Sequence, residues 1–301
     1  MMKLYNGNCF DYFSKIEDNE IDLVLVDPPY GTTAIDWDNE LDFNKMWNEL
    51  DRIVKPKSNI IIFGSQPFTS KMITSKLDWF RYELIWNKNK CGSPGLAKYR
   101  PQKVHENIMI FSKESGGIYN PIMEDGDPYS RFNPDGYGSG VNRHGYGFGN
   151  KNTGLTNEGT RYPKSILHAS RNFSAQQTTH PTQKPTNLLA WLIMTYSNPN
   201  DLVLDFTMGT GSSAVASKMT GRQFIGIEKE SEFFDISKFR VKLCKPNSII
   251  ETDLQLTTQI SKDMITTPSD SHESDFHKFW KLNKNNENGE PVGIEKWLQM
   301  D

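Results

Sequence analysis

Cysteine is scarce in this 301-residue chain: Cys9, Cys91 and Cys244 form an odd, scattered set without a C-x-x-C pair. That argues against a disulfide framework and offers no zinc-ligand spacing, so no metal site is expected. A run of about 18 apolar residues is also missing, which speaks against a membrane-spanning helix. The opening MMKLYNGNCF lacks the apolar stretch of a signal peptide. A soluble, cytoplasmic protein with no membrane partner is therefore expected. The chain has no strong charge of one sign either, its formal net charge being −3, so overall charge selects no partner. No Gly-Lys-Ser/Thr closes its glycine turn, which argues against a P-loop.

What is present is enough for a buried core, with 36% hydrophobic and 12% aromatic residues. Charge is unevenly spread: residues 1–51 carry three Lys/Arg against twelve Asp/Glu, while residues 81–113 carry seven against two. In the second stretch Arg81, Lys88, Lys90, Lys98, Arg100, Lys103 and Lys113 are interleaved with Trp86 and Tyr99. Such a pattern suits a surface that tracks phosphates, and it equally suits a solvated face.

Punctuation along the chain predicts alternating strands and helices. Ile21–Val26 is short, β-branched and stopped by two prolines, as a buried strand would be. Leu41–Val54 has helical spacing and ends at Lys55-Pro56, and Asn59–Gly64 then reads as a second buried strand. Further strands are predicted at Tyr82–Trp86, Asn107–Phe111, Asp201–Phe206 and Gln223–Ile227, with helices at Asn187–Tyr196 and Ser212–Met219. The alternation implies an α/β fold built on a doubly wound, mostly parallel sheet. Between residues 115 and 178 periodicity gives way to Gly, Asn, Tyr, Ser and Arg, the composition of a long functional loop region. From Pro246 a polar linker leads to two short aromatic pieces, FHKFWKL and GIEKWLQM, read as a small C-terminal appendage over 246–301.

Two constellations carry chemistry. In DFTMGTGSSAVA (Asp205–Ala216), Gly209 and Gly211 permit a tight strand-to-helix turn, and small Ser212 lets a ligand approach the helix start. Seventeen residues past Gly211 stands Glu228, where a carboxylate can accept both hydroxyls of a ribose. A nucleoside cofactor fits this turn, a nicotinamide one included. The second constellation is Asp27-Pro28-Pro29-Tyr30, directly after a strand. Asp27 can accept one hydrogen of an amine and the Pro28 carbonyl the other, while prolines fix the loop. Tyr30 offers an aromatic face to a base taken out of its stack, worth about 1–3 kcal/mol per base.

Together these residues resemble the DNA amino-methyltransferases, and specifically the β-type members, in which the Asp-Pro-Pro-Tyr motif precedes the glycine turn. The resemblance covers roughly residues 3–245 and implies a Rossmann-like methyltransferase fold using S-adenosyl-L-methionine. It implies a catalytic half at 1–114, a target-recognition insertion at 115–178 and a cofactor-binding half at 179–245. Asp27, Pro28, Pro29 and Tyr30 would then hold the target base. Cofactor contacts are implied for Asn8, Cys9, Phe10, Asp27, Asp205, Phe206, Thr207, Gly209, Gly211, Ser212, Glu228 and Lys229. HPTQKP (His180–Pro185) resembles the segment placed beside the methionine part of the cofactor. It adds His180, Thr182 and Lys184, the lysine attracted to the cofactor carboxylate. Family members commonly carry Asp where this chain has Asn8, whose amide oxygen can accept the same hydrogen bond without charge.

The implied reaction is methylation of the exocyclic N6 amine of adenine in double-stranded DNA by base flipping and direct transfer. Cytosine-N4 methylation or RNA adenine methylation are the chemical alternatives. A nicotinamide oxidoreductase would leave Asp-Pro-Pro-Tyr unexplained, and a non-catalytic DNA-binding module would have no use for it. Cys9 and Cys91 lack a Pro-Cys context, which tells against thiolate chemistry at cytosine carbon 5. Lys88, Lys90 and Arg100 are expected on the phosphate backbone, and Arg131, Arg143, Arg161 and Arg171 at base edges. Two further partners fit the resemblance: a second copy of the chain, and a separate cognate restriction endonuclease.

Overall fold

The computed structural model describes residues 1–31, 41–88, 94–131, 155–169 and 183–248. The chain divides into two units, one formed by Met1–Asn120 with the segment from Lys164 onward, the other by Pro121–Pro163. In chain order the elements are β1 (Met2–Asn6), α1 (Cys9–Tyr12), β2 (Ile21–Val26), α2 (Phe43–Ile53), β3 (Val54–Gly64), α3 (Phe68–Ser75), β4 (Phe80–Asn87) and β5 (His105–Phe111). There follow β6 (Glu124–Asp125), β7 (Tyr129–Arg131), β8 (Leu155–Asn157), β9 (Thr160–Arg161), β10 (Ile166–His168), α4 (Thr186–Tyr196), β11 (Leu202–Asp205), α5 (Ser212–Met219), β12 (Gln223–Glu228) and α6 (Ser231–Leu243).

The larger unit is built on one eight-stranded sheet in the order β1-β12-β11-β2-β3-β5-β4-β10. Five of its seven pairings are parallel; only β5 runs against both its neighbours. Near-continuous apolar strands such as Ile21-Asp22-Leu23-Val24-Leu25-Val26 suit a parallel sheet covered on both faces, and every position of β2 except Asp22 is buried. Asp22 is held in place because its Oδ2 accepts the Leu202 N–H at 3.0 Å and its Oδ1 pairs with Lys55 at 2.5 Å.

Helix α2 starts where Asp42 accepts the Lys45 N–H at 3.0 Å, an N-cap on one of the orphan donors of the first turn. It buries Met46, Trp47, Leu50 and Ile53 as one stripe. The helix passes straight into β3, which begins five residues earlier than its apolar run predicts. Val54 pairs with Ile21 before a register shift brings Asn59 opposite Leu23, so Lys55 to Lys57 bulge out around a proline that cannot donate to the ladder, while the buried Ser58 hydroxyl donates to the Ile21 carbonyl at 2.9 Å. Helix α4 is buried on nearly all sides, as its unbroken Leu-Leu-Ala-Trp-Leu-Ile run requires.

The topology places the ligand-binding edge. From β2 the chain winds outward to β3, and from β11 it winds the other way to β12, so the strand order switches between β2 and β11. Crevices in open α/β sheets form at that point, beyond the carboxyl ends of the strands. Asn6, Val26, Gly64, Asp205 and Glu228 are the last residues of five parallel strands and share that edge. The sequence motifs follow directly on three of them.

The smaller unit contains two antiparallel ladders, β6 with β9 and β7 with β8. Within it, the Arg161 guanidinium donates to the Asn157 side chain and to the Asp127 and Thr160 carbonyls, and it lies 4.8 Å from the centroid of the Tyr129 ring. Among the described residues no helix is long and apolar enough to cross a membrane.

Candidate active site

The loops after β1, β2, β11 and β12 and the segment before α4 enclose a cavity of about 440 Å³, within the range of small-ligand sites. On one side, Asn6 stitches β1 to the loop after β12, its Nδ2 donating to the Glu228 carbonyl at 2.9 Å. Asn8, Cys9 and Phe10 follow and line the cavity. Asn8 Oδ1 accepts the Phe10 N–H at 3.0 Å and caps α1, so the amide keeps its second lone pair for a ligand. Cys9 is buried, which pushes its thiol up to about 11. It stays protonated and is no nucleophile at neutral pH.

Glu228, 8% exposed, accepts the Gly209 N–H with Oε2 and the Glu230 N–H with Oε1, both at 2.8 Å. Burial raises its pKa, and a carboxylate has acceptor sites beyond these bonds with which it could receive hydroxyl donors. Gly209 has φ +52°, and a Cβ built on it would meet nothing within 4 Å, so the turn keeps its backbone open to a ligand. A buried carboxylate beside such a cradle fits the ribose and adenosyl part of the expected cofactor. Asp205 stands behind it, its Oδ1 accepting the Thr207 N–H at 3.0 Å and its Oδ2 the Ser213 hydroxyl at 2.5 Å. Desolvation nonetheless pushes it up to about 7. Phe206, Thr207, Ser212 and Lys229 also line the cavity.

Gly211 departs from its expected role. It is absent from the lining, and its Cβ would come 2.7 Å from the Ser237 Cβ on α6. With φ +78°, it serves the turn and the packing of α6, not a ligand contact. Arg240, a buried side chain of α6, donates to the Thr210 carbonyl at 2.8 Å and to the Ser212 hydroxyl at 3.1 Å. No sequence motif marked this arginine.

At the switch point Asp27 opens the loop after β2. Its Oδ1 accepts the Tyr30 hydroxyl at 2.7 Å, and its Oδ2 accepts from Lys184 Nζ. The Asp27 carbonyl accepts the Thr207 hydroxyl at 3.2 Å, tying the two motif-bearing loops together. Pro28 and Pro29 line the same wall. The Tyr30 ring packs 4.9 Å from that of Phe68 at 34°. A carboxylate held from two directions beside an aromatic ring can receive an amine on a planar base.

Lys184 departs from expectation too. It lies between Asp27 and Glu106, 3.4 Å from Glu106 Oε2, so two protein carboxylates hold the charge expected to meet a cofactor carboxylate. Glu106, Gln183 and Phe63 line the cavity and went unread in the sequence. Glu106 is the second residue of an otherwise mostly apolar strand, where an isolated acid gives no signal until its cations are known.

The basic stretch 81–113 does not form one surface. Arg81 and Lys113 belong to the sheet edge opposite the site. There Arg81 donates to the Asp78, Ser112 and Lys113 carbonyls, and Lys113 pairs with Asp51. Trp86 is fully buried, its indole N–H donating to the Ala169 carbonyl at 2.8 Å. Lys88 pairs with Glu106 at 3.0 Å, with only 17% of its side chain exposed, which corrects its expected place on a phosphate. Lys98, Tyr99 and Arg100 are exposed on the site edge, Tyr99 by 82%. Arg161 is engaged by its own unit, which removes the free guanidinium expected at a base edge. Arg131 ends β7. Lys90, Arg143, Arg171, His180 and Thr182 lie outside the described residues.

Comparison with known proteins places the chain in a family. A family model described as DNA methylase matches residues 21–239. The type II methyltransferase M1.MboII of Moraxella bovis is 32% identical over 251 residues, 79% of this chain and 95% of that protein. Among solved structures, the M1.HpyAVI–SAM complex superposes with a TM-score of 0.56 at 23% identity, covering 81% of this chain and all of that one. The PvuII DNA methyltransferase, described as cytosine-N4-specific, gives 0.57 at 16% identity over 84% of this chain and 89% of its own. Both structures share the fold.

Proposed function

We propose that this chain, which belongs to the DNA methylase family, transfers a methyl group from S-adenosyl-L-methionine to the exocyclic N6 amine of adenine in double-stranded DNA. DNA methyl transfer is the family's activity; adenine as the target base is our proposal. The observation that carries it is Asp27 at the switch point, on a cavity whose far wall presents Glu228 and the open Gly209 backbone.

Bound there, the cofactor supplies an electrophilic methyl group on a sulfonium. Glu228 would accept its ribose hydroxyls, and the loops of Asn8 to Phe10 and Phe206 to Gly209 would enclose the adenosyl part. The target adenine, turned out of the duplex, stacks on the Tyr30 ring and returns part of the stacking it lost. Asp27 accepts one amine hydrogen and the Pro28 carbonyl the other, aiming the nitrogen lone pair at the methyl group. As the nitrogen attacks the methyl carbon, the carbon–sulfur bond breaks and a neutral thioether leaves; the positive charge growing on the nitrogen is stabilised by the Asp27 carboxylate and relieved when one amine proton passes to water. Orientation and electrostatics do the work, with no covalent enzyme intermediate. Cys9, held as a thiol by burial, has no part in it.

Residues 115–178, which contain the smaller unit, would read the sequence context. A separate cognate restriction endonuclease cutting the same sequence is the partner this reading calls for, and size-exclusion chromatography reads out a homodimer. The test is to incubate the purified chain with the cofactor and unmethylated genomic DNA and sequence the modified bases. Methylated adenines in one short context support the proposal. Methylation confined to cytosine would move the target to N4, and methylated RNA with unmodified DNA would overturn the substrate.

A further inference from the structure

Behind Asp27 runs a row of alternating charges that neither motif accounts for. Lys88 Nζ stands 3.0 Å from Glu106 Oε1, Glu106 Oε2 stands 3.4 Å from Lys184 Nζ, and Lys184 donates to Asp27 Oδ2. Three separate elements bring them together: Lys88 follows β4, Glu106 lies in β5 opposite Trp86 of β4, and Lys184 precedes α4. The side chains of Lys88, Glu106 and Lys184 are 17%, 10% and 7% exposed, so salt and water screen their charges weakly.

The row has a consequence for the reaction. Asp27 helps only while its negative charge reaches the nitrogen on which positive charge grows. An ammonium bonded to Oδ2 holds the carboxylate still, but its own charge opposes that field. A second carboxylate on the far side of the ammonium offsets it. We infer that Glu106 is a positioning residue for methyl transfer: its carboxylate holds Lys184 and offsets its charge, so that Lys184 can orient Asp27 without cancelling it. Lys88, on the outer oxygen, holds Glu106 in place. The inference deepens the proposed function and rests on Asp27 being the group that meets the amine.

Three variants of the full chain separate charge from shape. Glu106→Gln keeps the shape and removes the charge; Glu106→Asp keeps the charge and retracts it by one methylene; Lys184→Met with Glu106→Gln removes the opposing pair together. A unit charge a few ångströms from a partly developed one, at an effective dielectric of about 20, sets the scale. Glu106→Gln is expected to lower kcat at least about tenfold with little change in KM for DNA or cofactor. Glu106→Asp should lose less, and the double variant should turn over faster than Glu106→Gln alone. An Asp variant slower than the Gln variant would make the role one of shape and overturn the inference, as would unchanged kcat in Glu106→Gln. Should the Gln variant not fold, Lys184→Met is compared with the double variant. Equal kcat supports action through Lys184, and a further tenfold loss overturns it. The readout is methyl transferred from cofactor to DNA on any base. A cytosine product would thus overturn the proposed base and leave this test standing, whereas no transfer by the unaltered chain would overturn both.

Discussion

Gly211 and Ser237 are in such close approach that a Cβ on the glycine would lie 2.7 Å from the serine Cβ, while one on Gly209, two residues away, would meet open space. The two glycines of one turn therefore do different things. Gly211→Ala should destabilise the protein by about 1–2 kcal/mol through its left-handed backbone, and by more if α6 must shift. It should leave the cofactor-induced rise in melting temperature largely intact. Gly209→Ala carries the backbone cost too, but its methyl group enters the cradle, so the cofactor-induced rise should shrink. Thermal melts with and without S-adenosyl-L-methionine distinguish them; a Gly211→Ala variant of normal stability that no longer responds to cofactor would restore Gly211 as a ligand contact.

Asp205 makes stability depend on pH. Its folded pKa, raised to about 7 by desolvation, lies above an unfolded value of about 3.9. The native state therefore binds more protons than the unfolded state across that window, and the contribution of Asp205 to stability falls as pH rises from about 4 to 7. Asp205→Asn, whose amide oxygen can still accept the Thr207 N–H while its NH2 donates to the Ser213 hydroxyl oxygen, should flatten that part of the melting-temperature profile and raise stability at pH 8. A profile of unchanged slope in the variant would contradict the assignment.

Lys88 and Arg100, adjacent in the reading of the sequence, should separate in experiment. Arg100→Ala removes an exposed cation at the site edge and should weaken binding to many DNA sequences alike, lowering the salt dependence of log K by about one. Lys88→Ala strips a buried carboxylate of a cation, so it should lower thermal stability while leaving that salt slope unchanged. Fluorescence anisotropy at several salt concentrations, beside a melt, tests the pair. A reduced slope in Lys88→Ala would return it to the DNA surface.

The parts legible in the sequence were those with short-range causes. Ile21–Val26 and Ser212–Met219 have the predicted bounds because periodicity and proline or glycine punctuation fix them locally. The Asp-Pro-Pro-Tyr segment and the glycine turn lie on one cavity because both follow strands at the switch point. Strand β1 and helix α6 were missed: β1 has a mixed burial pattern at the sheet edge, and α6 mixes charge into its apolar face. The roles of Gly211, Lys88, Lys184 and Glu106 depend on partners 18 to 157 residues away, and no spacing rule reports those. A basic run in sequence was split by β4 and β5 crossing the sheet, which carried Arg81 and Lys113 to the far edge.

The most direct test of the account is nucleoside mass spectrometry on DNA treated with the unaltered chain and with Asp27→Ala. Asp27 acts mainly in the transition state, so its loss should appear in turnover and not in binding. N6-methyladenine is expected from the unaltered chain, and a product reduced by several orders of magnitude from Asp27→Ala although the variant still binds cofactor. Product found only as N4-methylcytosine would contradict the base, and undiminished product from Asp27→Ala would contradict the mechanism.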